Sequence, residues 1–115
     1  MQIRLNTDES VTGSEGLAHH AEEVVRKTLD HFAGQITRVE VHLSDVNGAR
    51  VGEKDKRCMM EARVAGLQPI AVSEQADSVH QAIDGAAHKL RRSLESALGK
   101  LADRKRHPNP TPENS

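Results

Sequence analysis

The stretch from Asp77 to Ala102 constrains this chain most. Val79, Ile83, Ala86, Leu90, Leu94, Ala97 and Leu101 recur there at steps of three and four, the repeat of one buried helical face. No proline interrupts the run before Pro108, and most of its residues are good helix formers, with Gly85 and Gly99 as weak points. Asp77 or Ser78 can cap the start, because their side-chain oxygens accept from backbone N–H groups that lack a partner inside the helix. The spacing predicts a helix from about Asp77 to Ala102, and its apolar stripe has to be covered by another layer.

The remaining pattern supplies that layer. Met1, Ile3 and Leu5 alternate with Gln2, Arg4 and Asn6, the two-residue repeat of a half-buried strand. Thr7 to Gly16 reads as a loop, in which Thr12 with Glu15 (capping-box spacing) or Ser14 alone offers a helix start. A helix is predicted from Gly16 to Phe32, burying Leu17, Ala21, Val24, Val25, Thr28, Leu29 and Phe32 and ending at Ala33-Gly34. Ile36 to Leu43 alternates again, with Val39, Val41 and Leu43 opposed to Arg38, Glu40 and His42. After a polar, glycine-containing loop from Ser44 to Asp55, a third strand spans Lys56 to Val64. It points Cys58, Met60, Ala62 and Val64 one way and Arg57, Met59, Glu61 and Arg63 the other. Ala65 to Gln68 turns the chain into a short fourth strand, Pro69 to Ser73. The expectation is an α+β fold of order β-α-β-β-β-α, with two helices on one face of a four-stranded sheet and the other face wet. Residues 1–103 form one domain, and residues 104–115 a basic, then proline-rich, disordered tail. Cross-strand pairing of solvated side chains accounts for the mixed charges of the wet face.

The charge is unevenly spread. Lys89 to His107 holds seven Lys or Arg against Glu95 and Asp103, a local balance of +5, inside a chain whose formal net charge is −1. Such polarity points to an anionic partner at the basic end, although cations near a helix C-terminus also complement the helix dipole. Phe32 is the only residue among Phe, Tyr and Trp, which excludes recognition of single-stranded nucleic acid through stacked bases. Binding through phosphates and shape stays open. Cys58 has no cysteine partner and sits at a core position of a strand, consistent with a reducing cytoplasm. No stretch approaches the ~20 apolar residues of a membrane span, and no signal sequence opens the chain. The seven histidines (19, 20, 31, 42, 80, 88 and 107) make no ligand spacing for a metal. A nucleophile elbow and a phosphate loop are both missing. The pattern argues against an enzyme.

Ala82-Ile83-Asp84-Gly85, Lys89-Leu90, Arg92 and Leu94, in a helix opened by Asp77, resemble the signature of the ribosome hibernation promoting factor and ribosome-associated inhibitor family, also called sigma-54 modulation or S30AE proteins. Leu17, Lys27 and Phe32 in the first helix and Val39-Glu40-Val41-His42-Leu43 in the second strand extend the resemblance to roughly Met1–Leu101 in the same element order. Ser93 and Glu95-Ser96-Ala97-Leu98 depart from the family's lysine-rich helix, moving the basic run to Lys100 and beyond. The acidic, glycine-containing segment 45–55 has no counterpart in the resemblance.

The resemblance implies a fold similar to double-stranded RNA-binding domains and a partner in the small ribosomal subunit. Relatives of this kind occupy the transfer and messenger RNA channel and silence ribosomes under stress. No cofactor, small-molecule substrate or membrane is implied, and the protein is expected to be a monomer away from the ribosome. Matching family positions nominate Lys27, Lys89 and Arg92 as contacts to ribosomal RNA; charge and helix placement add Arg26, Arg91 and Lys100, with residues 104–106 as a looser anchor. The competing expectation is a protein-interaction module acting through the sheet face or an edge strand, without ribosome binding.

Overall fold

A computed structural model describes residues 1–8, 15–45 and 56–106, with side chains through Asp103. The expected helix start at Thr12–Ser14, most of the loop before the third strand, the side chains of the 104–106 anchor and the tail beyond it lie outside the described residues. The elements are β1 (Gln2–Thr7), α1 (Glu15–Thr28), a 3-10 turn (Asp30–Phe32), β2 (Ile36–Asp45), β3 (Lys56–Val64), β4 (Ile70–Ala76) and α2 (Val79–Arg106).

The sheet runs in the order β1-β2-β3-β4. β1 lies parallel to β2, with Ile3 opposite Val39 and Leu5 opposite Val41. A parallel neighbour needs a crossover, and α1 supplies it. The β2–β3 and β3–β4 pairs are antiparallel, joined in the second case by a turn in which Gly66 takes a left-handed φ of 82° that L side chains rarely adopt. Strand alternation then sorts the side chains. Val39, Val41, Leu43, Cys58, Met60 and Ala62 are buried beneath the helices, while Arg4, Arg38, Glu40, His42, Arg57, Met59, Glu61 and Arg63 fall on the opposite, wetter face. Leu17, Ala21 and Val25 of α1 and Ala82, Ile83, Ala86, Ala87, Leu90 and Leu94 of α2 close one core with the strands. This is the expected α+β arrangement.

Several boundaries differ from the sequence reading, among them the end of β2, which continues past Leu43 to Asp45. The first helix stops at Thr28 rather than Phe32: the Leu29 N–H still donates to Val25 O at 2.9 Å, but Phe32 N–H donates three residues back, to Leu29 O. The tighter turn lets Leu29 and Phe32 both enter the core. β4 continues past Ser73 to Ala76, because Lys56, Arg57 and Cys58 of β3 present a ladder to Ala76, Gln75 and Glu74, and that pairing outweighs the low strand preference of Glu and Gln. α2 begins at Val79, where Gln81 N–H donates to Ser78 Oγ at 3.1 Å, and runs to Arg106, a turn further than expected. Its last fully buried residue is Leu94, and Leu98 and Leu101 are only half-buried.

Candidate nucleic-acid interface

The six nominated cations all lie on the two helices. Around α2, a step of about 100° per residue turns Arg91 towards α1, Arg92 outward and Lys89 towards β4. The contacts agree. Arg91 lines a cleft of about 410 Å³ between the helices together with Val24, Lys27, Thr28, Asp84 and His88. Arg92 lines an adjoining depression of about 430 Å³ with His88, Arg91 and Glu95. Lys100 borders a separate cleft against Leu67 and Ile70 at the β3–β4 turn. Lys27, Arg91 and Arg92 are therefore brought together, whereas Lys89 and Lys100 sit on the β4 flank of the same helix.

Carboxylates interrupt this surface. Arg26 pairs with Glu22 at 3.1 Å and Arg91 with Glu95 at 3.3 Å, both one helical turn apart and about half exposed. Such pairs contribute only ~0.3–0.5 kcal/mol, so an incoming phosphate can compete for either guanidinium. Lys89 is held more firmly. Its Nζ lies 2.8 Å from Glu74 Oε1 and donates to Ser73 O at 2.9 Å, which ties α2 to β4. Lys27, Arg92 and Lys100 have no ion-pair partner among the described residues.

The helices also meet through histidines. His20 Nε2 of α1 approaches Asp84 Oδ1 of α2 at 3.2 Å, and the rings of His20 and His80 stand 4.5 Å apart. His19 points outward and is exposed, as neighbouring helical positions require. Among the described residues no group of three or more His, Cys, Asp or Glu is placed to hold a metal ion. Cys58 is fully buried, and desolvation pushes its thiol up to about 12, so it stays protonated and inert near neutral pH.

On the opposite face, like charges oppose each other directly: Arg38 faces Arg63, and Glu40 faces Glu61. Relief comes along the strand, where Glu40 lies 3.1 Å from Arg38 Nε and 3.4 Å from His42 Nε2. The buried Arg38 Nε nevertheless finds no properly aligned hydrogen-bond acceptor.

Sequence reasoning missed Glu74, because β4 runs three residues beyond the expected end at Ser73, and it missed His88. Helical spacing was the available signal for the latter: His88 follows Asp84 by four residues and precedes Arg91 by three, which places it on the α1 side of α2.

Four strands bearing two helices on one side, with cations on the outer surface of those helices, define an α+β domain whose distinctive surface is helical. The chain belongs to the family described as sigma 54 modulation protein / S30EA ribosomal protein, which it matches over residues 6–102. A ribosome hibernation promotion factor of Picosynechococcus sp. is 29% identical over 99 residues, which are 85% of this chain and 50% of that protein. The chain thus spans about half that relative's length. The fold is similar to that of a ribosomal subunit interface protein from Coxiella burnetii (TM-score 0.71, 16% identity, 86% of this chain and 99% of that one). It is also similar to the N-terminal domain of Thermus thermophilus Protein Y (TM-score 0.66, 18% identity, 84% and 98%).

Proposed function

We propose that this protein is a non-enzymatic ribosome-associated factor that docks on small-subunit ribosomal RNA through the outer surface of α1 and α2. In doing so it inhibits translation or promotes ribosome hibernation under stress. The observation that carries this reading is the placement of Lys27 and Arg91 in the inter-helix cleft with Arg92 in the adjoining depression, Lys27 and Arg92 being uncommitted among the described residues. Cations on a rigid helical scaffold can neutralise phosphates without reading bases, the mode left to a chain with one aromatic residue. Arg26 and Lys100 extend the contact at either side. Lys89 joins it only by giving up Glu74.

Family membership supports the ribosome as partner, since the matched relative is a hibernation promotion factor. Sedimentation with purified small subunits at low salt tests the reading: the unaltered protein travels with the particle, and Lys27→Glu with Arg92→Glu leaves it at the top of the gradient while unfolding at an unchanged temperature. Co-sedimentation undiminished in that double variant would reject the surface. A second reading, a protein-interaction module, draws on Met59, a large apolar side chain 37% exposed on the sheet face. It gains support instead if the unaltered protein stays out of the subunit fractions at low and high salt alike.

A further inference from the structure

His88 is the one nominated-surface neighbour that borders both depressions, the inter-helix cleft with Lys27 and Arg91 and the adjoining one with Arg91 and Arg92. We propose that His88 is a phosphate-contacting residue that makes RNA binding proton-linked, so that this surface grips a phosphodiester more tightly as pH falls below neutrality. The inference rests on the ribosomal RNA reading above and adds a residue and a regulation to it.

The charged groups facing His88 are Lys27 from α1 and Asp84, Arg91, Arg92 and Glu95 on α2 itself. Three cations meet two carboxylates, and one of those carboxylates is already shared with Arg91 while the other is approached by His20. A phosphate entering this surrounding cancels its net positive charge. The phosphate brings a negative charge into a site whose cations it neutralises, and an imidazolium beside it gains a charge-assisted hydrogen bond that a neutral ring makes more weakly. Binding and protonation then favour each other by the same factor. Histidine is the side chain suited to this, since its charge changes between about pH 5 and 8. His88 is exposed and has no hydrogen-bond or ion-pair partner among the described residues, so its ring is available to a ligand and its replacement leaves the core untouched.

The test measures affinity for purified small subunits at fixed low salt between about pH 6 and 8, for the unaltered protein, His88→Gln, His88→Lys and, as a control on the opposite face, His42→Gln. Affinity of the unaltered protein and of the His42 variant rises on acidification by roughly fivefold or more beyond the change seen with His88→Gln. His88→Lys binds at pH 8 about as tightly as the unaltered protein does at pH 6, with that component of the pH response gone. A His88→Gln variant that tracks the unaltered protein across the range overturns the inference and leaves the RNA-docking reading standing. Failure of the unaltered protein to bind subunits at any pH overturns both.

Discussion

Gly85 stands in the interior of α2, where glycine weakens a helix by about 1 kcal/mol relative to alanine, and Glu74 explains its presence. A Cβ at position 85 would lie 2.7 Å from Glu74 Cγ and 2.8 Å from its Oε2, too close for real contacts. Glu74 cannot simply swing away without abandoning Lys89. Gly85→Ala is therefore expected to leave stability nearly unchanged, its helix gain of about 1 kcal/mol offset by loss of the half-exposed Lys89–Glu74 pair. In a Glu74→Ala background the same change should raise it by about 1 kcal/mol, a coupling that denaturant titration of the four proteins reads directly. Cys58 carries a pH prediction. Its folded-state pKa of about 12 exceeds the ordinary 9.0, so the stability tied to the protonated thiol is complete below about pH 9. Above that, the unfolded chain loses a proton that the folded chain keeps, and stability falls by ~1.4 kcal/mol per pH unit towards pH 12. Cys58→Ala should remove this increment from the alkaline limb of the stability profile.

At the scale of elements, α2 was legible because apolar spacing, helix formers and a cap all agree. Ser78→Ala should cost about 1 kcal/mol, visible in thermal unfolding, by leaving the Gln81 N–H without its acceptor. The core strands were legible for a related reason: Val39, Val41 and Leu43 alternate with charges, so one register alone buries the apolar set. The end of β4 was not, because Glu74 to Ala76 have strand character only through the β3 ladder beside them, a long-range pairing that local sequence does not record. The end of α1 was hidden for a similar reason. Where Phe32 must point depends on the sheet beneath it, and a residue-by-residue pattern continues the helix past that point. The candidate site was partly legible. The family resemblance nominates Lys27 and Arg92, and charge adds Arg91, but the commitment of Lys89 to Glu74 depends on the part of β4 beyond Ser73.

For the molecule as a whole, the sequence balance of +5 towards the C-terminal end, which already counts Glu95, overstates how basic the helical surface is, since Glu74 of β4 also holds Lys89. Few phosphates should then be engaged. Three contacts predict that the logarithm of the binding constant falls with the logarithm of salt at a slope between about −2 and −3, each contact adding ~0.7–0.9; Arg92→Gln should make that slope shallower by close to one such increment. The division of labour along α2 has a further effect. Up to Leu94 the helix is anchored in the core, and beyond it twelve more residues continue to Arg106 with nothing fully covered beneath those whose side chains are described. Substitutions in that overhang can redistribute positive charge with little penalty to folding, while the anchored half stays under the discipline of packing.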